Sequence, residues 1–91
     1  MGGDHIMNAP NRAEILELIQ VKVAVMSWSD IDPATITEST LIADCVYDSL
    51  DVVEFTCELE VLFDIDISDE EISKLTTIGS AVDLVERKLK S

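Results

Sequence analysis

Three stretches of this chain repeat apolar residues every three to four positions, and that period constrains the fold more than any other feature. Leu16, Ile19, Val23 and Met26 stand at i, i+3, i+7 and i+10. Val52, Phe55, Leu59 and then Leu62 or Phe63 repeat the spacing, and Ile78, Ala81, Val82, Val85 and Leu89 repeat it again. Each set lines one face of an α-helix. Val21 and Val25 widen the apolar surface of the first stretch, so that helix is expected to contact more than one neighbour.

The residues between these stretches set the boundaries. Asn11 is placed to cap the first helix, with Glu14 at the reciprocal capping-box position. Asp32-Pro33 stops any helix from continuing through it. Asp48 is a good N-cap for the second helix, and Asp51 follows within its first turn. Ser68 and Glu71 form another capping box, opening a helix that must be short because Thr76-Thr77 caps the next one. The last helix runs from about Ile78 to Leu89, with Arg87, Lys88 and Lys90 at its end, where positive charge suits the dipole. The connection from Ser29 to Tyr47 is long for a small domain, and long loops are often functional. Ile31, Ile36, Leu41 and Ile42 are expected to pin it to the core. Part of it could form a short helical turn; a β-strand at Thr40–Val46 is the alternative, but it would have no partner. The expected architecture is all-α: a four-helix bundle with three longer helices, one short helix and a long first loop.

A chain of 91 residues makes one small domain with a modest core. Residues 1–6 read as a cloning remnant ahead of a native start at Met7, which leaves 7–91 as the domain. Nineteen acids face six bases, for a net charge of −13. That field repels a phosphate backbone, so nucleic acid is not an expected partner. No apolar run is long enough to span a bilayer. With no signal peptide, a cytoplasmic, reducing setting is expected, and Cys45 and Cys57 read as half-buried packing residues rather than reactive thiols.

Ten acids and no Lys or Arg lie between Asp48 and Glu71. Leu50, Val53 and Cys57 interrupt them at i, i+3 and i+7 as a second apolar stripe on the same helix. Apolar anchors with a charged rim make a docking surface for a basic partner, and binding there should weaken as salt rises. The acids match no cation-binding loop, and the single His5 near the terminus offers no metal cluster. Ser49, at the first turn of a helix, has no nearby base to activate it as a nucleophile. Two readings of Ser49 stay open on position alone. It is part of a helix cap, or it carries a phosphoester stabilised by backbone N–H groups and the positive end of the dipole.

Asp48-Ser49-Leu50-Asp51, then Glu54, Leu59-Glu60, Phe63-Asp64-Ile65 and Lys74-Leu75-Thr76-Thr77-Ile78-Gly79, resembles the acyl carrier proteins of type II fatty acid and polyketide synthesis. The match runs from about Leu41 to Leu89. The resemblance implies that Ser49 receives 4′-phosphopantetheine from coenzyme A through a separate phosphopantetheinyl transferase, which brings Mg²⁺ and its own base. It implies a monomeric carrier rather than an enzyme, with acyl groups held as thioesters on the terminal thiol. Partners would be acyl-loading, condensing and acyl-modifying enzymes with basic docking patches. Asp48, Leu50, Asp51, Val53, Glu54, Cys57 and Glu60 match docking positions, and Phe55, Leu59 and Ile67 would line the acyl-chain pocket. An aminoacyl or peptidyl carrier, and an unmodified acidic adaptor, are the alternatives. Val46 and Tyr47 stand where the family usually has glycine, and Val61 where it is usually acidic; these departures imply a specialised carrier with a dedicated pathway.

Overall fold

The computed structural model describes residues 10–26, 32–46 and 49–90. Within them lie four α-helices: α1 (Arg12–Met26), α2 (Ser49–Phe63), α3 (Asp69–Ser73) and α4 (Ile78–Lys90). Two short 3₁₀ turns, Pro33–Thr35 and Ile42–Asp44, lie in the loop between α1 and α2. The expected bundle of three longer helices and one short one is therefore the observed architecture.

The capping boxes form as the sequence predicts. The Glu14 N–H donates to Asn11 Oδ1 and the Asn11 N–H to Glu14 Oε1, both at 2.9 Å. Ser68 and Glu71 make the same reciprocal pair at the start of α3. At α4, the Ser80 N–H donates to Thr77 Oγ1 while Ser80 Oγ accepts from the N–H groups of Thr76 and Thr77. Asp64 ends α2 with φ at 55°, a left-handed conformation that aspartate tolerates better than most residues, and the Ile65 N–H returns to the Glu60 carbonyl.

Phe55, Leu59 and Phe63 of α2 and Ile78, Ala81, Val82 and Val85 of α4 are buried as expected, joined by Leu84. In α1, Ile19 and Val23 hold the expected core positions, but Ile15 takes the place expected of Leu16. Ile15, Ile19 and Val23 are buried, while Leu16 and Met26 are only partly buried beside the core. Helix α1 does meet more than one neighbour, packing against α4, α2 and the Pro33–Thr35 turn, but Val21 and Val25 themselves are exposed.

The loop has a definite job. The Ile78 N–H donates to the Thr40 carbonyl at 2.8 Å and the Gly79 N–H to the Glu38 carbonyl at 2.9 Å. The Ile42 N–H donates to the Thr76 carbonyl. The loop is thus a strap whose carbonyls satisfy first-turn N–H groups of α4 that have no partner inside the helix. Its strand character is confined to one isolated bridge, Leu41 with Thr77. Ile36 and Ile42 are buried, but Leu41, expected in the core, is 48% exposed. Successive residues of an extended backbone face opposite ways, and Ile42 takes the inward position. Ile31 lies outside the described residues.

Gly79 lets the strap approach α4. A Cβ there would lie 2.9 Å from the Glu38 carbonyl oxygen, a backbone atom that cannot move alone. Gly79→Ala is expected to cost about 1–3 kcal/mol despite alanine's better helix propensity, a loss that a urea melt would measure.

Arg12 fastens the same region from the side. Its Nε donates to Glu38 Oε2 at 3.0 Å, and its Nη1 to Asp83 Oδ1 at 2.6 Å and Glu86 Oε1 at 3.2 Å. One guanidinium therefore joins α1, the strap and α4. The bonds to Glu38 and then Asp83 hold it charged, above its ordinary pKa.

Glu71 ties α3 to α4. Its Oε1 accepts the Ser68 N–H and lies 2.9 Å from Lys88 Nζ. The Ser68 N–H first, and then Lys88, lower its pKa to about 2. The ionised form is favoured in the fold, so its contribution is present above the ordinary carboxylate pKa. It is lost as pH falls from about 4.5 toward about 2. Glu71→Gln should therefore be less stable than the natural chain at pH 6, and the difference should shrink as the pH falls from about 4.5 toward about 2. Denaturant midpoints across that range measure it.

Candidate functional site

The site is built on α2. Ser49 is the first residue of this helix, and Asp51 places a carboxylate in its first turn. Tyr47 and Asp48, including the expected Asp48 cap and docking position, lie outside the described residues. The start of a helix this long combines backbone N–H donors with the positive end of a dipole, a setting that favours a phosphate group.

The helix has two opposed faces because its apolar residues follow two registers. Phe55, Leu59 and Phe63 point into the core, with Val52 partly buried beside them. Leu50 (75% exposed), Val53 (47%) and Cys57 lie on the outer face with Glu54. Val61, 81% exposed, extends this stripe. It stands eleven residues after Leu50, just over three full turns, so the sequence carried the signal. Cys57 is exposed rather than half-buried, and its thiol is free; Cys45 is buried, and desolvation first, then Asp44, pushes its thiol pKa upward.

Two of the expected docking residues are less outward. Asp51 is half-buried and borders a crevice with Val23, Met26, Cys45, Val46 and Phe55. Glu60 is half-buried too, and its Oε2 accepts the Ile67 N–H at 2.9 Å, bracing the turn from α2 to α3. The outer face is thus Leu50, Val53, Glu54, Cys57 and Val61, with Asp51 and Glu60 at its margins.

Phe55, Leu59 and Ile67 belong to one buried core. Phe55 borders the crevice; Leu59 and Ile67 do not. The crevice has a free volume of about 10 Å³, room for roughly one water-sized sphere. A hydrocarbon chain entering here would have to spread α1 from α2. Sequence reasoning missed Val23, Met26, Cys45 and Val46 as crevice residues, because they come from two segments that only the folded chain brings together.

Among the described residues no group of three or more His, Cys, Asp or Glu is arranged to hold a metal ion. No helix among them is long and apolar enough to cross a membrane.

Comparison with known proteins agrees with this arrangement. The family model described as "Phosphopantetheine attachment site" matches residues 20–85. The acyl carrier protein of Picosynechococcus sp. is 39% identical over 70 residues, covering 76% of this chain and 86% of that protein. The acyl carrier protein homolog of Mycoplasmopsis pulmonis is 37% identical over 73 residues, covering 75% of this chain and all of its own length. Among solved structures, the acyl carrier protein of Enterococcus faecalis superposes with a TM-score of 0.72 at 34% identity, covering 87% of this chain and 99% of its own. That of Thermotoga maritima gives 0.75 at 25% identity, covering 97% and 96%. The helical order, the serine opening α2 and these likenesses together place the chain in the acyl carrier protein family.

Proposed function

We propose that the chain carries acyl groups as thioesters on a 4′-phosphopantetheine arm attached to Ser49. The observation that carries this reading is the position of Ser49. It opens α2 within the residues that the phosphopantetheine-attachment family matches. The residue after it, Leu50, is 75% exposed, which supports a start of α2 that partner enzymes can reach. The phosphoester would sit where helix N–H groups and the dipole favour negative charge. When bound, the group supplies a terminal thiol on a flexible tether. The chain's own residues would hold and present that tether without catalysing the transfer.

The arm would come from coenzyme A through a phosphopantetheinyl transferase. Acyl-loading, condensing and acyl-modifying enzymes of fatty acid, polyketide or related synthesis would then dock on the outer face of α2. Leu50, Val53 and Cys57 would serve there as apolar anchors, with Asp48, Asp51, Glu54 and Glu60 as the acidic rim. Phe55, Leu59 and Ile67 would line the space for the acyl chain. A monomeric domain over 7–91, working in the cytoplasm, fits this role. The departures at Val46, Tyr47 and Val61 favour a specialised pathway.

The test is to incubate the chain with coenzyme A, Mg²⁺ and a phosphopantetheinyl transferase, then with an acyl-loading enzyme and a short acyl group, and to treat the product with neutral hydroxylamine. A hydroxylamine-labile acyl adduct is expected. Labile loading only with an amino acid would assign an aminoacyl carrier instead, and no labile adduct of any kind would leave an unmodified adaptor as the better reading.

A further inference from the structure

We propose that the outer face of α1, formed by Leu18, Val21 and Val25, is a second docking strip. It lies along the seam with α2 and takes the apolar ridge of an enzyme that reaches across both helices. Leu18, Val21 and Val25 are 40%, 52% and 75% exposed and stand at i, i+3 and i+7. A helix in a small domain ordinarily turns such a stripe inward. Here α1 already buries Ile15, Ile19 and Val23 on the opposite side.

The seam sets the geometry. Lys22 Nζ meets Glu58 Oε1 at 3.2 Å, and toward the end of α1 Val23 and Met26 share a crevice with Asp51 and Phe55 near the start of α2. The two helices therefore run antiparallel. One turn back along α1 from Lys22 is Leu18; one turn on along α2 from Glu58 are Val61 and Leu62, 81% and 37% exposed. The other way lie Val25 on α1 and Glu54 and Leu50 on α2. By helical spacing, Lys22 and Glu58 each stand between their helix's core stripe and its outer stripe. The ion pair thus lies between two exposed apolar strips.

Charge selects the occupant. Of the charges on α1, Arg12 is turned to Glu38, Asp83 and Glu86 and Lys22 to Glu58, which leaves the exposed acids Glu14 and Glu17 on the side of the strip. With the acids of residues 48–71 on the α2 side, negative charge flanks the strip on both sides in a protein of net charge −13. It fits a protein with an apolar ridge and bases along both flanks. A second copy fits poorly. Two chains of −13 repel each other, and three partly exposed side chains fall well short of the roughly 800 Å² per partner that a stable interface buries.

The proposal rests on the carrier reading only for the choice of test enzyme. A purified type II condensing enzyme that accepts discrete carriers is immobilised, and binding of the unmodified chain is measured. The variants are Val21→Glu/Val25→Glu and Val21→Gln/Val25→Gln, with helicity checked by circular dichroism. Both are expected to weaken binding about five- to tenfold. The Glu variant should do so although added negative charge favours a basic partner. Binding equal to the natural chain in both variants would overturn the proposal, as would no measurable binding by the natural chain. A concentration-dependent dimer that the variants dissolve would overturn it in favour of a second copy. The same samples are incubated with coenzyme A and a transferase and weighed by mass spectrometry. A failure of the carrier reading thus shows as a missing mass gain, whatever the binding result.

Discussion

Leu59→Ala is expected to lower stability by about 2–5 kcal/mol, because the side chain is completely buried and the truncation leaves a cavity. Leu59 lies in the middle of α2 and belongs to the core cluster that also includes residues of α1 and α4. A domain of this length has roughly 5–14 kcal/mol in total, so the loss takes a large share of it. The self-repulsion of nineteen acids against six bases narrows the margin further. A urea titration should show a clearly lower midpoint, with the slope preserved. Val61→Ala on the same helix removes a side chain that is 81% exposed, and should stay within about 0.5 kcal/mol of the natural chain. Similar losses at the two positions would mean that the opposed faces of α2 have been assigned wrongly.

Ser49→Ala is expected to reduce carrier-dependent acyl transfer to background while leaving the fold in place. The two effects separate because Ser49 is the first residue of α2, and a helix in a protein is held mainly by tertiary packing of its buried face. Alanine is a good helix former, so the stability change should stay below about 1 kcal/mol. A coupled assay with an acyl-loading enzyme reads the first effect, and circular dichroism during urea unfolding reads the second. A variant that loses structure along with activity would show that Ser49 is mainly a cap.

Much of the fold was legible because α4 is sharply two-sided and the apolar residues of α2 sort into two separate registers. In α4 the apolar positions fall on one face and Arg87, Lys88 and Lys90 gather at the end, so period and dipole agree. In α2 the inner and outer registers separate cleanly. Helix α1 was harder. Ile15, Leu16, Leu18, Ile19, Val21, Val23, Val25 and Met26 surround it with apolar side chains, so more than one register satisfies the period. The strap at 38–42 was not legible, because backbone carbonyls paired to distant amides leave no side-chain pattern. Arg12 was missed for a related reason: its partners Glu38, Asp83 and Glu86 are 26, 71 and 74 residues away.

The candidate site was partly legible. The start of α2 at Ser49 and the outer stripe through Leu50, Val53 and Cys57 follow from spacing alone. The inward roles of Asp51 and Glu60 do not, because they depend on where the crevice and the Ile67 turn come to lie.

The most direct test of the central reading is an intact mass of the natural chain before and after incubation with coenzyme A, Mg²⁺ and a broad-specificity phosphopantetheinyl transferase, followed by fragmentation. The carrier reading predicts a gain of one phosphopantetheinyl group, located by the fragments on Ser49. No gain, or a gain located on any other residue, would contradict it.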